Sequence, residues 1–82
     1  MLAYPNPINH FVNLTIDIEQ DAIGILTIYD AVGKKIQWME LQLLKGANTK
    51  KINMAKLAAG SYLLQLTTPK ENKIIRIIKL TN

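Results

Sequence analysis

Apolar and polar residues alternate along this chain with a period of two, and turn-forming residues interrupt the alternation at short intervals. From Phe11 to Ile18 the pattern is clean, with Val12, Leu14, Ile16 and Ile18 on one face and Asn13, Thr15 and Asp17 on the other. Successive side chains of an extended backbone point to opposite faces, so this spacing predicts a half-buried strand. A second strand is predicted over Ile23–Asp30, with Leu26 and Ile28 inward and Ile25, Thr27 and Tyr29 on the other side. It runs into Asp30-Ala31-Val32-Gly33, where Asp at the first position and Gly at the fourth suit a type I turn. Ile36 to Leu44 is more ambiguous. Ile36 and Trp38 face one way while Met39, Leu41 and Leu43 face the other, which suggests a bulge or a bend between sheets. Ile36, Met39 and Leu43 also fit a helical stripe, but flanking strands joined by tight turns favour a third strand.

After a turn at Lys45–Asn48, a fourth strand over Asn48–Met54 carries Ile52 and Met54 inward. Met54 to Ala59 reads as one helical or 3₁₀ turn that tucks Leu57 under the core. Gly60 ends it, supplying the bent backbone that an abrupt switch to strand needs. The strand that follows places Tyr62, Leu64 and Leu66 on one face. Thr68–Asn72 closes a hairpin, and the last strand is Lys73–Leu80. Its run Ile74-Ile75-Arg76-Ile77-Ile78 is apolar on both faces apart from Arg76, which predicts cover on both sides. The four glycines, Gly24, Gly33, Gly46 and Gly60, read as isolated turn glycines and form no phosphate-cradling pattern. Six or seven short strands with turn signals every 8–12 residues or so predict an all-β fold, an antiparallel immunoglobulin-like β-sandwich.

The opening differs in character. In Tyr4-Pro5-Asn6-Pro7 each proline lacks a donor and pushes the preceding residue toward extended geometry. Residues 1–10 therefore read as an entry linker and residues 11–82 as the domain, the tail of something longer. MLAYPNP has neither the basic nor the apolar region of a signal peptide, and no apolar run approaches the ~20 residues of a membrane span. A domain of 82 residues buries only about 60% of its unfolded surface, so its core must be dense. A hydrophobic content of 49% meets that need.

Charge and candidate chemistry change this picture little. The net charge of +4 comes from lysines spread over strands and turns. They are not clustered with aromatics as a nucleic-acid stacking platform would be, so no nucleic-acid partner is expected. No cysteine is present, which removes disulfides and thiolate metal sites. Asp17, Glu19 and Asp21 have the spacing of the first ligands of a calcium loop. Ala22 stands where that loop needs glycine and Ile28 where it needs a bidentate Glu. A solvent-facing strand edge accounts for them better, and no metal or cofactor is expected. Ser61 and His10 are the only serine and histidine, and no nucleophile elbow frames Ser61. The sequon Asn13-Leu14-Thr15 is short enough to be coincidence.

Four features line up in order: Tyr4-Pro5-Asn6-Pro7, Asp30-Ala31-Val32-Gly33-Lys34, Leu57-Ala58-Ala59-Gly60-Ser61-Tyr62, and a basic-apolar last strand ending Ile77-Ile78-Lys79-Leu80. Together they resemble the C-terminal sorting domain of the type IX secretion system of Bacteroidota, over about Tyr4 to Leu80. The resemblance implies a non-enzymatic address label that follows a cargo domain and is recognised in the periplasm by the outer-membrane translocon. It further implies removal by a sortase-like protease and a cargo left at the cell surface or secreted. The recognition candidates it implies are Asp30, Gly33, Lys34, Gly60, Tyr62 and the last strand with Lys79. Read from the residues alone, Asp30 and Gly33 make a turn, Gly60 permits a bend and Tyr62 fills the core. Lys34 and Lys79 are then the charges expected to be exposed and to meet a partner. An exposed last strand could also pair with a neighbour as an edge-strand dimer. A competing class is an adhesive or carbohydrate-binding module, which would need an exposed row of aromatics drawn from Trp38, Tyr29 and Tyr4.

Overall fold

A computed structural model describes residues 1–81 and contains seven strands. In chain order they are β1 (Leu2–Tyr4), β2 (Phe11–Ile18), β3 (Ala22–Tyr29), β4 (Lys35–Leu43), β5 (Gly46–Asn53), β6 (Gly60–Thr67) and β7 (Asn72–Lys79). They form a three-stranded sheet, order β1-β2-β5, packed on a four-stranded sheet, order β4-β3-β6-β7. All strand pairs are antiparallel, so the sandwich is all-β as the alternation predicts.

Register places the core. Val12, Leu14, Ile16 and Ile18 of β2, with Ile52 of β5, turn toward Leu26, Ile28, Leu41, Leu43, Tyr62, Leu64, Leu66 and Ile77 of the larger sheet, and all are buried. Each buried aliphatic side chain removed from water contributes about 1.5–3 kcal/mol, which offsets the ordering cost of so short a chain. Met54 leaves the end of β5 fully buried. The link that follows is a single turn, closed by the Leu57 N–H donating to the Met54 carbonyl at 3.1 Å. Leu57 packs against the core from there.

Three features differ from the sequence expectation and a fourth bears it out. The entry segment is extended, but it is docked onto the fold. Leu2–Tyr4 pairs with β2, and Ile8 is 1% exposed in the core. The last strand is covered on one face only. Ile75 and Ile77 point inward, while Ile74 and Ile78 are 56% and 46% exposed on the outer face; at the margin of a sandwich only one sheet face has a neighbour to bury against. Gly24 is not a turn residue. It lies inside β3, where a Cβ would come within 2.9 Å of Leu66 Cδ1 and 3.1 Å of Leu43 Cδ1, so glycine there makes room for two leucines of flanking strands. The bulge expected in β4 is present: Ile28 pairs with Gln37 and Tyr29 with Lys35, so Ile36 is the extra residue on β4. From Gln37 to Leu43 the β3–β4 pairing is regular, with Met39, Leu41 and Leu43 on the core side.

Candidate functional site

The β3–β4 turn is built around one carboxylate. Asp30 Oδ1 accepts the Val32 N–H at 3.0 Å and the Lys34 N–H at 2.9 Å. Its carbonyl accepts the Gly33 N–H at 3.0 Å and its own N–H donates to the Lys34 carbonyl, also at 3.0 Å. Gly33 takes φ = 86°, a left-handed backbone that a side chain would resist. Asp30 is thereby a short acceptor satisfying the orphan amides of a tight loop, and the loop presents the exposed Lys34 side chain at a fixed place.

The β5–β6 crossover meets this turn at the same end of the sheet. Tyr62 is 5% exposed and its hydroxyl donates to the Ala58 carbonyl at 2.5 Å. That bond ties the chain passing between sheets to the strand it enters, as in the tyrosine corners of other sandwiches. Desolvation by burial raises the Tyr62 phenol above its ordinary value, and the negative charge of Asp30 adds to the effect. Beside the Asp30 turn and the start of β6 runs an open groove of about 480 Å³, lined by Tyr29, Asp30, Gly33, Ser61, Leu63 and Arg76 among others. A smaller hollow of about 190 Å³ joins Asp30 and Val32 to Gly60 and Tyr62.

Five of the six candidates, Asp30, Gly33, Lys34, Gly60 and Tyr62, thus flank one end of the four-stranded sheet. Lys79 stands opposite Gly60 in the β6–β7 register, yet its side chain is not the exposed charge expected. It is 1% exposed and its Nζ donates to the Thr81 carbonyl. The aliphatic stem is buried while the ammonium finds the Thr81 carbonyl, the usual compromise for a buried lysine. Arg76 is the charged side chain that the outer face does expose here. Its isolation within Ile74–Ile78 is the signal that could have singled it out.

A second feature lies beside this end and involves both chain ends. Ile8 forms a parallel bridge with Lys79. The Ile8 N–H donates to the Ile78 carbonyl at 2.8 Å, and the Leu80 N–H donates to the Ile8 carbonyl at 2.9 Å. One step back along a parallel ladder the next partner would be the peptide group of residue 6. Its place is taken by a side chain: Asn6 Nδ2 donates to the Arg76 carbonyl at 3.3 Å and Asn6 Oδ1 accepts the Ile78 N–H at 3.1 Å. A carboxamide has the donor and acceptor of a peptide bond, so the Asn6 side chain continues the ladder in place of the residue 6 backbone.

Other candidate chemistry is dispersed. Asp21 Oδ1 accepts the Lys45 N–H at 2.7 Å. Among the described residues no three His, Cys, Asp or Glu side chains are grouped to hold a metal ion. Ser61 faces outward on β6 opposite Ile78, and His10 precedes β2 in the other sheet.

The decisive comparison is with protein families. A family model described as the secretion system C-terminal sorting domain matches residues 2–80, from the first strand through the residue after the last. This chain belongs to that family. It is a type IX sorting domain, a signal that follows a cargo protein, is recognised by the type IX system and takes it to the cell surface or outside. No curated protein and no solved structure matches the chain. The family match begins at Leu2, in keeping with the docking of the sorting domain's entry segment onto its last strand.

Proposed function

We propose that this sorting domain acts as a folded shape, without catalysis of its own, read in the periplasm by the outer-membrane translocon. A sortase-like protease then removes it, and the cargo stays at the surface, joined to lipopolysaccharide, or is released. The observation that carries this reading is the family match over the whole fold, and the gathering of the Asp30 turn, the start of β6 and Arg76 around one groove supports it. Rigid turns and a sheet face offer a receptor fixed geometry with little ordering cost. In this reading Lys34 and Arg76 are the charges a receptor meets, Asp30, Gly33, Gly60 and Tyr62 hold the surface in shape, and Lys79 serves the fold.

The test fuses residues 1–82 to an inert reporter in a Bacteroidota host, beside an otherwise identical strain without the translocon. Surface display should require the translocon, and deleting residues 73–82 should abolish it while reporter activity persists. The doubly reversed variant Lys34→Glu/Arg76→Glu, verified as folded by circular dichroism, should lose display as well. Normal display of that variant would remove the groove from the reading, and display in the translocon-deficient strain would end it. One observation favours an adhesive role instead: Trp38 is 58% exposed on the same outer face as Tyr29. Specific binding on a glycan array would support that role.

A further inference from the structure

The sandwich has four strand edges, and one of them is both long and uncovered. An edge presents unpaired backbone donors and acceptors, which natural sheets shorten, charge or cover to avoid strand addition. On the smaller sheet β1 is three residues long, and β5 carries Lys50 and Lys51. On the larger sheet β7 is capped by Ile8 and by the Asn6 carboxamide. The remaining edge is β4, nine residues long, paired with β3 on its inner side with Ile36 as an extra residue near its start. Among the described residues no strand lies along its outer side. Its first half is exposed on both faces, from Lys35 to Trp38, and Trp38 and Ile36 are 58% and 39% exposed.

We propose that β4 is a self-association edge, to which the β4 of a second copy of this chain adds in antiparallel fashion. The two four-stranded sheets would then become one sheet across a two-fold axis near Gln37. The distribution of charge selects this occupant. From Lys34 to Leu43 the charged residues are Lys34 and Lys35 at one end and Glu40 toward the other. Antiparallel pairing brings the lysine pair of each copy beside the glutamate of the other, whereas parallel pairing would set lysine against lysine. The same arrangement lays Trp38 of one copy beside Ile36 of the other, an aromatic–β-branched contact of the kind that stabilises neighbouring strands. Lys34 joins the Asp30 turn through its backbone alone, so its side chain is free to make this contact. The inference goes beyond sorting and does not depend on it.

The experiment is sedimentation equilibrium on the 82-residue chain from micromolar to millimolar concentration, with folding of every variant checked by near-ultraviolet circular dichroism. The native chain should show a monomer–dimer equilibrium. Lys34→Glu/Lys35→Glu sets acids against Glu40, and Glu40→Lys sets lysines together; each should weaken the dimer about tenfold. The triple variant Lys34→Glu/Lys35→Glu/Glu40→Lys inverts every sign, keeps the complementarity and should restore it. Hydrogen exchange should show protection of β4 amides that rises with concentration. A chain monomeric throughout, a dimer indifferent to these reversals, or protection confined to β7 or β5 would each overturn the proposal.

Discussion

Replacing Asn6 by alanine isolates the contribution of a single side chain to the join between the chain's two ends. The substitution removes the bond to the Arg76 carbonyl at 3.3 Å and the bond from the Ile78 N–H at 3.1 Å. Asn6 itself is exposed, so water can reach both groups once the amide is gone, and neither becomes a buried orphan. Each bond is therefore worth its net value, about 0.5–1.5 kcal/mol, and the longer one falls at the low end. The expected loss is about 1.5 kcal/mol for the pair, which in a domain of this size lowers the melting temperature by roughly 6–12 °C. Thermal unfolding followed by circular dichroism measures it, with urea titration showing an unchanged slope. Asn6→Asp sharpens the test. It keeps the acceptor for the Ile78 N–H but turns a charged oxygen toward the Arg76 carbonyl. That repulsion raises the carboxyl's folded-state pKa above its unfolded value near 3.9. The protonated form restores a donor, so the aspartate variant should approach the native chain below that unfolded value and fall behind as pH rises through the folded one. An alanine variant that melts with the native chain, or an aspartate variant with no such pH dependence, would refute the peptide-mimic reasoning.

Other expectations follow from the same structure. Gly24→Val places branched bulk where Leu66 and Leu43 already crowd a Cβ. Overpacking there should cost about 1–3 kcal/mol, read from denaturant midpoints. Tyr62→Phe removes the bond to the Ala58 carbonyl, for a loss of about 1 kcal/mol. Because burial and Asp30 raise the Tyr62 phenol, its contribution is complete below the unfolded phenol value near 10 and is lost as pH rises through the folded value. The native chain should thus lose stability in alkali more steeply than Tyr62→Phe, as alkaline denaturation would show. Asp30→Ala leaves the amides of Val32 and Lys34 to water and should cost about 1–2 kcal/mol, with Asp30→Asn recovering most of it.

The parts of this fold that were legible in the sequence are those where one face is buried and the other wet. In β2 the aliphatic positions Val12, Leu14, Ile16 and Ile18 all reach the core, because period-two alternation states both the conformation and the face. In β7 the signal fails. Aliphatic residues occupy both sides, and the pattern cannot say that Ile74 and Ile78 face outward. Lys79 misleads for the opposite reason: charge argues for exposure, while its long apolar stem lets it be buried with its ammonium on the Thr81 carbonyl. The turn at Asp30 and Gly33 could be read because turn chemistry is local. The role of Asn6 could not, since its partners Arg76 and Ile78 lie 70 and 72 residues away and nothing near Asn6 announces them. Gly24 is similar; its reason is the leucines of β4 and β6, which only the assembled sheet brings over it.

The mutual hold between Ile8 and the β7 terminus also has a mechanical consequence. A force applied upstream of Leu2 first loads the β1–β2 pairing and then reaches the final strand, through the carbonyls and amides shared by Ile8, Ile78 and Leu80. A machine pulling on either extremity would have to dismantle the other as well, so the fold should give way as one cooperative unit and resist fraying inward residue by residue.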